Sequence, residues 1–349
     1  MKASYFRYDL VFKQAAGTSR GVLHSKESWF IVLRHNGKKG IGECGILRGL
    51  SYDDRPDYEE KLRWTCVHIH LGLDQLWEEL REFPSIQFGL EIAFRSLASE
   101  QPFVLYPSKF TQGTLQIPIN GLVWMGDIAF MKAQFAQKIA QGFRCVKLKI
   151  GALDFEKELE LLREIRAQFS ADEMEIRLDA NGAFTAVDAL AKLQQLAVYQ
   201  IHSIEQPIAK NQWELMADLI KNSPIPIALD EELIGLTTRE AKRNLLEHCV
   251  PPFLIFKPSF IGGFKGTQEW IALANEFGIN WWITSALENN IGLNAIAQFT
   301  ATLQNSLPQG LGTGALYENN VGCPLEVKSG VLHYNPELNW EVNFPEFAH

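Results

Sequence analysis

Short runs in which apolar and polar residues alternate occupy the amino-terminal part of the chain. Residues 5–12, 27–34 and 41–44 follow this pattern, with a turn at 36–40 between the last two. A period of two places the apolar side chains on one face of a strand, so these runs predict an antiparallel meander. Residues 58–97 have their apolar positions at helical spacing instead. Strands followed by helices predict a compact α+β unit.

Beyond a polar stretch near residue 107, short apolar segments alternate with amphipathic ones as far as about residue 312. Eight of the segments are predicted strands, and they end near Asn120, Ile150, Asp179, Glu205, Asp230, Lys257, Ser285 and Gly312. The segment 154–169 illustrates the helices between them, since its apolar residues lie on one helical face. This alternation predicts an α/β fold of the TIM-barrel type, in which active sites lie at the carboxyl ends of the strands.

Two lysines occupy matching positions in one of the predicted strands. In the segment 145–150, Lys147 and Lys149 alternate with apolar residues and therefore point to the same side. Two neighbouring ammonium groups lower each other's proton affinity unless anions lie close to them. The strand therefore predicts carboxylates on the strands beside it.

Three acids stand at the carboxyl ends of successive predicted strands, and about one strand-helix unit separates each from the next. They are Asp179, Glu205 and Asp230. An acid that caps the following helix explains one such position well but three in register poorly. Carboxylate oxygens are the preferred ligands of hard cations, so the trio predicts a Mg²⁺ site, with Mn²⁺ as a possible substitute.

A third lysine, Lys257, ends the strand that follows the acids, so that Lys149 and Lys257 flank the trio. A base can remove a weakly acidic proton beside a carboxylate when a cation stabilises the resulting ene-diolate. We expect Lys147 and the metal to lower the proton affinity of Lys149 toward working pH. The alternative is a network of salt bridges without catalysis.

These residues stand in segments that resemble the enolase superfamily, in its muconate-lactonising branch. The segments that carry the resemblance are 147–149, 179–181, 203–207, 229–231 and 257–263. The resemblance implies that Asp179, Glu205 and Asp230 bind the metal, that Lys149 is the principal acid/base and that Lys147 is its partner. A lysine base paired with Mg²⁺ is the general pattern already described for this superfamily.

The same resemblance implies the domain organisation. It implies a modified TIM barrel of the (β/α)7β type, formed by residues 113–321, with an α+β capping domain formed by residues 1–112. The carboxyl-terminal tail, 322–349, is expected to return to the capping domain. Loops of the capping domain are expected to close over the substrate, and Arg20 and Ser51 lie in the loops that we assign to this role.

Residues 116–124 and 284–292 most resemble the dehydratases of that branch. This implies a lyase of menaquinone biosynthesis that removes water from a cyclohexadiene carboxylate bearing a succinyl chain, giving o-succinylbenzoate. Lys257 is expected to lie against the second ring face. Substrate contacts are expected from Arg177, Ser285, Gly312 and Thr313. For Arg177, an ion pair inside the barrel with one of the three acids is the alternative.

Two other functions remain open. The same lysines could racemise N-acylamino acids or epimerise dipeptides, although residues 310–315 contain no acidic pair to hold a substrate amine. The second alternative is a non-catalytic binding protein on the same barrel. A complete set of buried charges destabilises a fold, which argues against that function.

Composition excludes some partners. The 349 residues carry a formal net charge of −8, which argues against nucleic-acid binding. Five widely spaced cysteines do not suggest a disulfide framework or a zinc site, and a reducing compartment fits them best. No signal peptide and no membrane span is predicted, so we expect a cytoplasmic enzyme that acts on a small carboxylate. The oligomeric state is left open.

Overall fold

The amino-terminal part of the chain forms an antiparallel sheet covered by helices. The computed structural model describes residues 1–18 and 21–348. The sheet has the order β1-β2-β3, with β1 Lys2–Thr18, β2 Gly21–His35 and β3 Lys38–Cys44. Three helices follow: α1 Tyr58–Val67, α2 Gly72–Glu79 and α3 Pro84–Ala98. The predicted meander and the helical region after it are both present.

Helix α3 lies directly on β3 because glycines line the contact. A β-carbon on Gly42 would collide with the carbonyl oxygen of Gly89, so no larger residue fits at that position. The apolar residues of β2 and β3 pack on α1 and α3 in one core, which includes Ile31, Leu62 and Leu90.

The middle of the chain forms seven parallel strands that neighbour one another in sequence order. After the short strand β4 Ile117–Pro118, they are β5 Gly121–Val123, β6 Cys145–Lys149, β7 Glu175–Asp179, β8 Ser203–Glu205, β9 Ile227–Leu229, β10 Phe253–Phe256 and β11 Asn280–Ile283. The helices between and after them are α4 Ile128–Ala140, α5 Phe155–Gln168, α6 Ala189–Ala197, α7 Trp213–Asn222, α8 Arg239–Cys249, α9 Gly263–Phe277 and α10 Asn290–Ala301.

Two residues close the barrel in place of a full eighth strand. The carbonyl of Gln309 accepts from the amide of Asn120 at 3.0 Å, and the carbonyl of Gly310 accepts from the amide of Ser285 at 3.0 Å. These bridges join the two ends of the seven-stranded sheet. The strand expected to end near Gly312 is therefore reduced to single bridges. The first barrel strand ends at Val123 rather than near Asn120.

The carboxyl-terminal segment divides between two places. Strands β12 Leu325–Lys328 and β13 Val331–Tyr334 form a small sheet with β4, beside the barrel. The last residues reach the amino-terminal sheet, where the ring of Phe344 packs against Phe30 at a centroid distance of 4.9 Å. The final helix, α11, is Pro345–Ala348. The proposed boundaries at residues 112 and 322 stay a prediction.

In the part of the chain that is described, no helix is long and apolar enough to pass through a bilayer.

Candidate active site

The lysines and acids expected at the site lie at one end of the barrel. In the register of the parallel strands, Lys149 pairs with Asp179, and Asp179 pairs with Glu205. Paired residues on neighbouring parallel strands point to the same side of a sheet, so these side chains enter the barrel at the same level. Asp230 and Lys257 each follow directly on the last residue of the next two strands. The five side chains thus converge on the same mouth.

Lys147 and Lys149 share one acceptor oxygen. Lys147 Nζ donates to Oδ2 of Asp179 at 2.9 Å and to Oε2 of Glu205 at 2.7 Å. Lys149 Nζ donates to the same Oδ2 at 2.9 Å and to Oδ1 of Asn181 at 2.6 Å. Both lysines are buried, with 7% of each residue exposed, so these charge-assisted bonds act in a region of low dielectric constant.

Lys257 holds the other side of the acid cluster. Its ammonium forms a very short contact with Oδ2 of Asp230 and lies 3.6 Å from Oε1 of Glu205. Each carboxylate of the trio is therefore paired with at least one of the three lysines. The alternating charges offset the cost of burying so many ionised groups at one place.

The surroundings separate the proton affinities of the lysines. Burial lowers the pKa of Lys149, and the ammonium of Lys147 adds to this effect against the attraction of Asp179. Burial also opposes the charge of Lys147, but Asp179 and Glu205 outweigh it and raise its pKa. The pKa of Lys257 is likewise raised, since Asp230 and Glu205 overcome its desolvation. Lys149 is thus the lysine best suited to lose a proton.

The acids are also unequal. Lys147 and Lys149 overcome the effect of burial and lower the pKa of Asp179. Burial raises the pKa of Asp230 well above its usual value, and the neighbouring Glu231 and Glu205 contribute to the increase. The trio therefore combines an acid whose charged form is favoured, Asp179, with one whose charged form is disfavoured, Asp230.

The donor chemistry of the trio fits a divalent cation. All potential ligands are carboxylate oxygens, and Oε1 of Glu205 is buried without a hydrogen-bond partner. As the side chains stand, no three His, Cys, Asp or Glu groups among residues 1–18 and 21–348 are arranged to hold a metal ion. The ammonium groups of Lys147 and Lys257 lie between the acids instead. Binding of a cation would require these contacts to open.

A cavity of about 450 Å³ adjoins the charged cluster. Its wall includes Lys147, Lys149 and Lys257 from the barrel, and the loop 47–50 from the amino-terminal part of the chain. This volume lies in the range of pockets that bind small molecules. The cavity therefore brings the reactive lysines and a loop of the amino-terminal unit to the same ligand space.

Ser285, Gly312 and Thr313, from which substrate contacts are expected, line this cavity. The hydroxyl hydrogens are nevertheless used within the protein. Ser285 Oγ donates to Oε2 of Glu288 at 2.6 Å, and Thr313 Oγ1 donates to Ser285 Oγ at 2.9 Å. In this arrangement neither hydroxyl donates to a substrate carboxylate.

Two other expected contacts lie elsewhere. Arg177 is buried deeper in the barrel, where Nε donates to Oε1 of Glu175 at 2.7 Å and the guanidinium stacks on Trp282 at 4.2 Å. Its ion-pair partner is Glu175 rather than one of the three acids, and Arg177 does not line the cavity described above. Ser51 is buried behind its loop, where its hydroxyl accepts from the amide of Leu47 at 2.9 Å. Arg20 lies outside the described residues.

Two residues of the site were given no role from the sequence. Asn181 contacts Lys149 and has a φ of 46°, in the left-handed region that asparagine tolerates better than most residues. Its place two residues after Asp179 was a usable signal. Glu288 accepts from Ser285, Ala286 and Ser259. Only the tertiary structure reveals the contact with Ser259, because that residue lies on another strand-helix unit.

Family comparisons agree with this architecture. The family described as "Enolase C-terminal domain-like" matches residues 131–337, and "MenC, N-terminal domain" matches residues 1–97. An o-succinylbenzoate synthase of Desulfotalea psychrophila is 45% identical, with 95% of this chain and 98% of the relative covered. An L-amino acid-D/L-Glu epimerase of Francisella philomiragia is 22% identical, with 76% of each chain covered.

Solved structures show the same fold. The crystal structure of MenC from Desulfotalea psychrophila gives a TM-score of 0.85 at 42% identity, covering 95% of this chain and 99% of that one. A muconate lactonizing enzyme from Pseudomonas fluorescens gives 0.84 at 22% identity, covering 98% and 96%, which shows the fold alone. The predicted membership is confirmed: the chain belongs to the enolase C-terminal domain-like family and carries an amino-terminal domain of the MenC type.

Proposed function

We propose that this chain is a Mg²⁺-dependent dehydratase that forms o-succinylbenzoate from a hydroxylated cyclohexadiene carboxylate bearing a succinyl chain. One observation carries the proposal: Lys149 and Lys257 line the same cavity, with the three carboxylates grouped among the lysines. The relative that is 45% identical along nearly its whole length bears the name o-succinylbenzoate synthase. The alternating charges and that relative support the same reaction.

Lys149 is the proposed base. Its neutral amine accepts the proton from the carbon beside the substrate carboxylate, and burial favours this neutral form. Lys147 keeps its proton and repels a second positive charge on its neighbour. Asp179, Glu205 and Asp230 would hold a divalent cation, which would supply electrostatic stabilisation to the substrate carboxylate as its negative charge grows.

The proton taken by Lys149 also completes the elimination. As the bond between the ring carbon and its hydroxyl oxygen breaks, the Lys149 ammonium returns the proton to that oxygen, and water leaves. The ring becomes aromatic, and no other reactant is needed. Lys257 supplies a fixed positive charge on its own side of the cavity, where it stabilises negative charge on the ring.

Racemisation of N-acylamino acids is the second candidate, because a lysine on each side of a substrate carbon could exchange protons on both faces. A relative named L-amino acid-D/L-Glu epimerase, which is 22% identical to this chain, supports this candidate. Residues 310–315 of this chain contain no acid to hold a free amine, so dipeptide epimerisation is the less favoured form.

The test is an assay of the purified chain with Mg²⁺ on two substrates in parallel: the succinyl cyclohexadiene acid and an N-succinylamino acid. We expect dehydration to exceed racemisation in kcat/KM. Rapid racemisation without dehydration would replace the first proposal by the second. If both activities are absent while Mg²⁺ binding is intact, the result would favour a binding protein.

A further inference from the structure

A tryptophan forms part of the cavity wall beside Lys149. The centroid of the Trp124 indole lies 5.9 Å from Lys149 Nζ, and Trp124 itself lines the cavity. Asp179 and Asn181 occupy two other directions around the same nitrogen, at 2.9 Å and 2.6 Å. The indole is therefore one of the walls that surround Lys149 Nζ in the cavity.

The backbone of Trp124 is fixed by a side chain of helix α4. Gln134 Oε1 accepts from the amide of Trp124 at 3.0 Å, and Gln134 Nε2 donates to the carbonyl of Trp124 at 3.0 Å. The side-chain amide of Gln134 thus satisfies both backbone polar groups of Trp124, which lies just beyond the end of β5. Paired bonds of this kind restrict orientation more than a single bond does.

Trp124 also packs against the hairpin of β1 and β2. It contacts an apolar cluster to which β1 contributes Phe12 and Ala16, and the loop after β11 contributes Leu287. The next residue, Met125, donates its amide to the carbonyl of Gly17 at 3.3 Å. A β-carbon on Gly17 would collide with the carbonyl oxygen of Met125, so the two segments meet at the closest possible distance.

We propose that Trp124 determines substrate specificity in this cavity, by presenting an apolar surface that favours flat ring carboxylates at Lys149, and that Gln134 positions it. Leu23, Leu287 and Leu316 extend the same apolar wall. A planar ring gains contact on such a wall, whereas a branched, flexible acylamino acid does not. The inference rests on the proposed function for the identity of the ring substrate.

A double-mutant cycle tests the proposal. Trp124→Leu removes the ring but keeps apolar bulk, and Gln134→Met removes both hydrogen bonds at nearly constant volume. We expect Trp124→Leu to lower kcat/KM for the ring substrate about tenfold, mostly through KM, and to affect an N-succinylamino acid by less than about twofold. By itself, Gln134→Met should lower kcat/KM for the ring substrate about threefold. In the Trp124→Leu background it should have no further effect.

Two variants separate this role from a general loss of folding. Trp124→Phe keeps a flat ring and should recover most of the lost kcat/KM. Gln194→Met, at an exposed position of helix α6, should leave both activities unchanged. Additive effects of Trp124→Leu and Gln134→Met, or equal losses on both substrates, would overturn the proposal.

Binding gives a second measurement that needs no turnover. Calorimetry measures the dissociation constant of o-succinylbenzoate for the wild type, the two single variants and the double variant. A wild-type chain that binds this aromatic acid but does not dehydrate contradicts the proposed function, while the cycle of dissociation constants still tests Trp124. Weaker binding by Trp124→Leu, with Gln134→Met neutral in that background, supports the specificity role. A wild-type chain that does not bind the acid overturns both.

Discussion

Lys147 donates a 2.9 Å hydrogen bond to Oδ2 of Asp179, and that oxygen accepts an equal bond from Lys149. The shared acceptor holds both ammonium groups close together, but Lys147 has Glu205 as a second carboxylate partner whereas Lys149 has the neutral Asn181. Burial disfavours the charge of both lysines. At Lys147, Asp179 and Glu205 outweigh burial and raise the pKa, whereas at Lys149 burial and the ammonium of Lys147 prevail over Asp179 and lower it. One lysine keeps its charge, and the other is able to exchange a proton.

The first prediction concerns Lys149. Lys149→Ala should lower kcat for dehydration by about a thousandfold or more, because positioned acid/base groups contribute factors of about 10²–10⁴ and this residue serves in both steps. KM should change little, which steady-state kinetics on the ring substrate will show. Lys157→Ala, at an exposed position of helix α5, is the matched control. A Lys149→Ala variant with wild-type kcat would remove this residue from the mechanism.

Mg²⁺ should stabilise the folded chain. A ligand that binds only the folded state at about 100 times its dissociation constant adds about 2.7 kcal/mol, so we expect saturating Mg²⁺ to raise Tm by several degrees and EDTA to reverse this. Asp179→Asn should abolish the response. Asp172→Asn, at an exposed position, should keep it. A wild-type melting curve that is identical with Mg²⁺ and with EDTA would contradict the assignment of the trio as ligands.

Arg177 should matter for folding rather than for substrate binding. Its guanidinium pairs with Glu175 and donates to the carbonyl of Pro308 at 2.8 Å, and 1% of the residue is exposed. Arg177→Met removes the charged partner of Glu175, which keeps only weaker neighbours such as Cys145 Sγ at 3.2 Å, and it removes the donor to Pro308, so the free energy of unfolding should fall by about 3 kcal/mol in denaturant titrations. KM of the folded variant should stay within about twofold of the wild type. A large increase in KM at unchanged stability would restore the substrate contact.

Glu43 should make stability depend on pH. It lies at the end of β3, where it accepts from the amides of Asn289 and Gly292 at 2.8 and 3.0 Å, and burial raises its pKa from 4.5 to about 7 in spite of Lys26. The folded state therefore binds this proton more tightly than the unfolded chain does. The stabilisation is present below pH 4.5 and is lost as pH rises through about 7, by about 3 kcal/mol in total.

The comparison of Glu43→Gln with the wild type isolates this contribution. Between pH 5 and pH 8, the difference in unfolding free energy should move in favour of the variant, because the glutamine has no proton to lose. Glu160→Gln, at an exposed position of helix α5, should move with the wild type. Parallel pH profiles for Glu43→Gln and the wild type would contradict the link.

The sequence was sufficient to predict that the acids and lysines lie at one end of the barrel, because the regular spacing of a barrel determines which end of each strand a residue occupies. Asp179, Glu205 and Asp230 each end a strand or follow it directly, and parallel strands bring such positions together. The order of the seven strands follows from the same regularity. The family match covers all three acids and all three lysines.

The direction of a long side chain was harder to predict. Arg177 shares the inward face of Asp179 and pairs in register with Lys147, which lines the cavity, but its guanidinium bonds to Glu175 and Pro308 instead. Ser51 belongs to the expected loop, yet its hydroxyl satisfies a backbone amide of the same loop, a local preference of serine. The closure of the barrel through Gln309 and Gly310 could not be predicted either, because single bridges produce no periodic pattern of apolar residues in the sequence.

The last prediction distinguishes the two proposed reactions through Lys257. In a dehydratase this lysine acts only as a fixed charge, so Lys257→Met should lower kcat for dehydration about a hundredfold while the exchange of the substrate's α-proton with solvent by Lys149 remains measurable. In a racemase the same variant should lose proton exchange for one enantiomer and keep it for the other, because each lysine then serves one face.

Exchange in deuterium oxide, followed by proton NMR for each enantiomer of an N-succinylamino acid and for the ring acid, measures all these rates. Lys265→Met is the matched control, because this lysine pairs with Glu78 at the surface. Full dehydratase activity in Lys257→Met would exclude the proposed role on the ring. Since Asp230 would then stand beside Glu205 without an ammonium, the variant should also bind Mg²⁺ at least as tightly as the wild type, which calorimetry can test independently of turnover.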